Sequence, residues 1–151
     1  MIGGLIVTHG NLAYELLHAA EIIEGALEGV EAVPLEWNEP VETSREKIRQ
    51  ALGRIGNERG VIIFTDMFGG TPSNISLSFL EKHRVEIVTG VNLPMIVKFA
   101  SLKNTCDDPV EAAHMIQEKG YKSIRVASEL LVTEARENGS QGDQQGPGNQ
   151  E

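Results

Sequence analysis

The sequence predicts an α/β domain built on a doubly wound, mostly parallel sheet with helices on both faces. Three observations carry that prediction. Short apolar runs alternate with stretches of helical periodicity along nearly the whole chain, with no repeat of fixed period. The alternation strand, helix, strand, helix folds as parallel strands joined by right-handed crossovers. The chain has 151 residues with 40% hydrophobic content, enough for one sizeable core and too little for two.

The first strand spans residues 2–7 and ends on Thr8, His9 and Gly10. From Asn11 to about Leu27 follows a helical pattern, with Leu12, Leu16, Ala19, Ala20, Ile23 and Leu27 on one side and glutamates on the other. Residues 30–35 form a short second strand. Pro40 to Ser44 open a charged helix that runs through Leu52 and Ile55 and stops at Gly56. Residues 60–66, Gly-Val-Ile-Ile-Phe-Thr-Asp, are the most apolar run and therefore a central strand. After the loop 67–71, Pro72 suits the first turn of a helix reaching about Lys82. A fourth strand covers 85–91, helices cover 93–102 and 109–120, a fifth strand covers 122–127, and a last helix reaches about Asn138. The domain thus occupies 1–138. Residues 139–151 hold Gly, Gln, Pro and Asp but no large apolar side chain, and are expected to be a disordered polar tail.

The opening apolar run lacks a basic flank and is far shorter than the roughly 20 residues that span a bilayer, so a cytoplasmic protein is expected. The single cysteine, Cys106, has no second thiol for a disulfide or a zinc pair. His18, His83 and His114 fall on expected helices or their ends without metal-ligand spacing, so neither metal nor cofactor is assigned. With 22 acidic and 13 basic side chains the net charge is −9, which speaks against a nucleic-acid partner and for a basic protein partner or simple solubility.

Strands one and three are neighbours in the usual doubly wound order, so His9 and Asp66 emerge side by side at the carboxyl edge, where such sheets keep their chemistry. A carboxylate bonded to one imidazole nitrogen fixes the tautomer, leaves the other lone pair free and supports positive charge on the ring. His9 is then the nucleophile and Asp66 its orienter. A strand-end histidine or a loop aspartate alone is commonly structural; the pair is what points to chemistry. Gly69, Gly70 and Thr71 lead into a helix and permit close backbone approach to an anion. The Thr8 hydroxyl and the Gly10–Asn11 backbone are further candidate donors to the same phosphate oxygens. The Gly-Gly-Thr-Pro sequence lacks the Gly-Lys-Ser/Thr ending of a nucleotide-binding loop. Met67 and Phe68 beside Asp66 suit either packing or a protein-docking surface, and Trp37 poses the same choice.

Thr8-His9-Gly10, then Phe64-Thr65-Asp66-Met67-Phe68-Gly69-Gly70-Thr71-Pro72-Ser73-Asn74, then Gly90-Val91-Asn92-Leu93-Pro94-Met95 stand in order at matching spacing. On these motifs the chain from residue 1 to about 126 resembles the IIA component of the mannose family of the bacterial phosphoenolpyruvate-dependent sugar phosphotransferase system (PTS). The resemblance implies that His9 receives a phosphoryl group on Nε2 from the phosphocarrier HPr and passes it to a histidine of a IIB component. It implies a homodimer whose fifth strand is antiparallel and exchanged between subunits. It also implies that the segment around Asn92 flanks the site, making Asn92 a candidate docking residue. No IIB-like domain follows the last helix, so a separate IIB is expected, with membrane IIC and IID components reached through it and deciding the sugar.

Other classes remain to be weighed. A receiver domain would need an acidic pair at the end of the first strand to hold magnesium, where Thr8 and His9 stand. A histidine phosphatase would place a phosphate-clamping Arg where Thr8 stands. The phosphocarrier subunit of a dihydroxyacetone kinase shares the fold type and an N-terminal histidine, but the second and third motifs favour the sugar IIA. A regulatory module that binds partners according to its phosphorylation state is the alternative without transfer.

Overall fold

The computed structural model describes residues 1–56 and 58–140. The elements are β1 (Gly3–His9), α1 (Leu12–Glu24), β2 (Val30–Leu35), α2 (Val41–Ile55), β3 (Val61–Thr65), α3 (Thr71–Leu77), β4 (Val85–Val88), α4 (Leu93–Leu102), α5 (Pro109–Lys122) and α6 (Ala127–Ser140). All four strands are parallel, in the order β2-β1-β3-β4. The crossover through α1 leaves β1 toward one edge, and the crossover through α2 passes back over β1 to β3. The carboxyl ends of β1 and β3 therefore flank the point where the winding reverses, the crevice in which open α/β sheets bind ligands.

Strand side chains alternate between faces, and each face carries its own core. Ile2, Ile6, Ile62 and Phe64 pack with Ala13 and Ala20 of α1, Met95, Ile96 and Phe99 of α4, and Ala112 and Ile116 of α5. Leu5, Val7, Val61 and Ile63 pack with Ile48, Ala51 and Ile55 of α2 and Ile75 of α3. Phe64 and Phe99 meet edge to face, with centroids 5.4 Å apart and planes at 64°, a favoured aromatic geometry. The doubly wound architecture expected from the alternation is thus the one observed. Residues 3–8 of β1 are all buried and His9 alone is exposed, so a rigid strand carries the imidazole to the surface.

Met1–Tyr121 forms one compact unit; a second begins at Lys122 and, among the described residues, consists of the segment leading into α6 and α6 itself. The fifth strand expected over 122–127 is not formed: Lys122 closes α5 and Ala127 opens α6. A strand needs a ladder for its N–H and C=O groups, and no ladder among the described residues takes up this segment. Ile124 and Val126 are left 74% and 59% exposed. The helix expected to reach Lys82 also ends early, at Leu77. Ser78, Phe79 and Leu80 then donate to carbonyls three residues back, and His83 takes φ 60 to turn the chain into β4. Residues 139 and 140 belong to α6, while 141–151 of the expected tail lie outside the described residues.

Candidate active site

β1 and β3 pair in register as far as Val7 opposite Thr65, so His9, still paired with Leu35 of β2, and Asp66, just past β3, come to the same carboxyl edge. His9 Nδ1 lies 2.7 Å from Asp66 Oδ2. The backbone N–H of His9 donates to the same oxygen at 3.0 Å, and the N–H of Met67 donates to Oδ1 at 3.1 Å. Three donors thus hold one carboxylate whose side chain is 14% exposed, against 44% for His9. An ionised carboxylate has only acceptors, so Nδ1 carries the hydrogen and Nε2 carries the lone pair. The pairing expected from the two strand ends is present, and Nε2 is the ring nitrogen that faces away from Asp66.

The loops around the pair are tied by backbone and small polar groups. Gly10, at φ 54, donates its N–H to the carbonyl of Leu35 at 3.0 Å, which fastens the β1–α1 turn to the end of β2. The Thr8 hydroxyl is fully buried, accepts from the N–H of Ala13 at 2.8 Å and donates to the carbonyl of Gly10 at 3.2 Å. The Thr8 hydroxyl and the Gly10 N–H, both candidate phosphate donors, are bonded here within the turn and to the end of β2. Asn11 stands exposed at the N-cap of α1 with no side-chain capping bond. Across the ring, Gly69 has φ 80, Gly70 caps α3, and Thr71 is its exposed first residue. Asn74, inside the second motif but not singled out from it, donates to the carbonyl of Gly69 at 3.3 Å, while its backbone N–H bonds the carbonyl of Gly70 at 2.9 Å. Those two bonds tie the loop to the helix it opens.

Met67 and Phe68 are 57% and 77% exposed, and Trp37, just past the carboxyl end of β2, is 91% exposed. Apolar side chains of this size left in water near the carboxyl ends of β3 and β2 are unusual on a free surface. Asn92 is half-buried. Its Oδ1 accepts from the N–H of Met95 at 3.1 Å and its Nδ2 donates to the carbonyl of Gly120 at 3.5 Å, so the amide caps α4 and reaches toward α5. The missed contributor on the β2 side is Leu35, whose carbonyl no residue-type signal could have marked.

The fold and the site define a class: an open α/β domain that presents one oriented imidazole at its topological switch point. A family model described as PTS system fructose IIA component, EIIA-man, matches residues 3–117. The chain belongs to this family of PTS IIA components, of the mannose type. The fructose-specific EIIA component of Bacillus subtilis is 38% identical over 104 residues, which is 68% of this chain and 71% of that one. The mannose-specific EIIAB component of Escherichia coli K12 is 31% identical over 134 residues; they make up 87% of this chain and 41% of that protein. Among solved structures, the PTS IIA protein associated with the fucose utilization operon of Streptococcus pneumoniae has a TM-score of 0.73 at 30% identity, covering 85% of this chain and 95% of that one. The EIIA component of Streptococcus agalactiae has a TM-score of 0.78 at 21% identity over 85% of this chain and 99% of its own, a likeness of fold.

Proposed function

We propose that the protein is a phosphoryl carrier in which His9 Nε2 accepts a phosphoryl group from HPr and passes it to a histidine of a IIB component. The observation that carries this reading is the 2.7 Å bond from His9 Nδ1 to Asp66. In the first step the Nε2 lone pair attacks phosphorus in line with the donor's leaving atom. The N–P bond forms as the donor's bond to phosphorus breaks, and that electron pair leaves with the donor. The Nδ1 hydrogen stays on its bond to Asp66, and the carboxylate stabilises the positive charge the ring acquires. The second step reverses the roles: a nitrogen of the IIB histidine attacks, the Nε2–P bond breaks, and its electron pair returns to His9. Backbone and hydroxyl groups at Asn11, Gly69 and Thr71 would cradle the phosphoryl oxygens, while Gly70, whose N–H is bonded to the carbonyl of Met67 at 3.4 Å, would contribute close backbone approach; positioning of this kind supplies most of the catalysis in such transfers.

Met67 and Phe68 form the docking surface for both partners. Sugar uptake then depends on IIC and IID components that this chain meets only through IIB, from a cytoplasmic position. No helix among the described residues is long and apolar enough to cross a membrane. The working unit is a homodimer, in which the segment around Ile124 and Val126 joins the sheet of the other subunit as the exchanged fifth strand. Intact mass after incubation with phosphoenolpyruvate, enzyme I and HPr tests the carrier reading. One acid-labile phosphoryl group on the wild type, absent from His9→Ala, is expected. No gain, or a gain that survives His9→Ala, refutes it.

A further inference from the structure

The two adjacent glycines of the β3–α3 loop answer to different constraints. Gly69 has φ 80, and a Cβ built there meets nothing within 4 Å. Its requirement is the left-handed backbone, which disfavours any other residue. Gly70 is the reverse. Its φ of −77 and ψ of 168 are ordinary extended geometry, open to every L residue. A Cβ at position 70, however, would lie 2.9 Å from His9 Cε1, 3.5 Å from His9 Nε2 and 3.3 Å from Met67 Cγ. Nothing in the backbone calls for glycine at 70; the imidazole does.

We propose that Gly70 is a positioning residue, its missing side chain forming the slot that seats the Cε1–Nε2 edge of the His9 ring. The Asp66 bond alone fixes one atom of the ring and leaves the imidazole free to swing about its two side-chain torsions. The glycine leaves the space that the Cε1–Nε2 edge occupies, and any Cβ there would come within 2.9 Å of Cε1, so the direction of Nε2 depends on that space staying empty. A methyl group at 70 has two ways to find room. It can displace α3, whose Pro72 and Ser73 are buried, or displace the end of one rotatable side chain. The second is far cheaper, so the ring moves, the Nδ1 bond to Asp66 stretches, and Nε2 turns off line. The same methyl also intrudes on the shell that the oxygens of an Nε2-linked phosphoryl group occupy. The consequence for transfer rests on the phosphocarrier reading; the placement of the ring does not.

The test compares Gly70→Ala and Gly69→Ala with the wild-type full chain by ¹H–¹⁵N correlation of the imidazole nitrogens, together with single-turnover transfer from phosphorylated HPr. In the wild type the ring is expected as the Nδ1–H tautomer. Gly70→Ala redistributes the tautomers and slows transfer about 100-fold, the usual cost of a misplacement near 1 Å. Gly69→Ala lowers the melting temperature and keeps the wild-type ring signals. Wild-type ring signals in Gly70→Ala, or transfer within about twofold of wild type, overturn the proposal. If Gly70→Ala folds poorly, the substitution is repeated in a His9→Ala background. A smaller loss of melting temperature there than in the wild type supports the slot, and an equal loss overturns it. If the wild type takes up no phosphoryl group, the carrier reading fails, and the tautomer comparison alone still decides whether residue 70 sets the ring.

Discussion

Both oxygens of Asp66 are occupied. Oδ2 takes two hydrogen bonds from His9 and Oδ1 takes one from Met67, so the carboxylate cannot rotate without giving up partners. Asn in its place keeps the shape but must offer an NH₂ group on one side, and an NH₂ facing Nδ1 favours the other ring tautomer. Asp66→Asn is therefore expected to fold, to melt within a few degrees of wild type, and to transfer phosphoryl about 100-fold more slowly, as disrupted carboxylate–histidine partners commonly do. Single-turnover mass measurements check this, and an unchanged rate would remove Asp66 from the relay. The His9–Asp66 pair was legible in the sequence because each residue ends a buried apolar run and the topology of alternating elements makes those runs neighbours. The fate of the Thr8 hydroxyl was not. Whether a hydroxyl faces a ligand or caps the next turn depends on the path of the backbone after it, and here the turn brings the N–H of Ala13 to 2.8 Å. The cap at Asn92 was also readable: an Asn followed by Leu-Pro is a helix start, and Asn92 does cap α4.

At the scale of elements, the start of α2 carries a pH-sensitive group separate from the His9–Asp66 pair. Glu39 precedes the helix with its side chain 6% exposed, accepting from Ser44 and paired with Lys47. Burial pushes its carboxyl upward, but the hydrogen bonds from Lys47 and Ser44 and the Lys47 charge outweigh it and hold the value below the ordinary 4.5. A lowered carboxyl favours the folded state when ionised. Its contribution is complete above the unfolded value and is lost as the pH falls through the lower folded one. Glu39→Gln is accordingly expected to flatten the acid-side dependence of stability, read as urea midpoints between about pH 3 and pH 6. An identical slope in the variant would show that the acid loss arises elsewhere, for instance at Asp108, which the N–H of Val110 and His83 hold below its ordinary value. The long amphipathic elements were the easiest to read: α2 starts after Pro40 and stops at Gly56, and α4 starts with Pro94 in its first turn. The end of α3 was not readable, because Leu77, Phe79 and Leu80 continue a helical pattern that the tightening to three-residue hydrogen bonds breaks.

For the whole molecule, a net charge of −9 makes the surface attractive to a basic carrier. The association rate with HPr is expected to fall as ionic strength rises past the point where screening reaches about 10 Å, near 0.1 M salt. Stopped-flow mixing across a salt series measures it, and a flat response would leave the charge as solubility alone. The proposed fifth strand is where a single chain tells least, since a segment that paired only with another subunit would have no partner within its own chain. Sedimentation of the wild type against Ile124→Asp tests that assignment: a dimer that becomes a monomer is expected, and a wild-type monomer would refute exchange. β1 also has a consequence for flux. Six buried residues anchor the imidazole to the centre of the sheet, so the acceptor is fixed in place and travel falls to its partners. On the proposed relay, throughput is then paced by collisions and rises with the abundance of HPr and IIB. A cell would set the traffic through this protein by how many copies of its neighbours it makes.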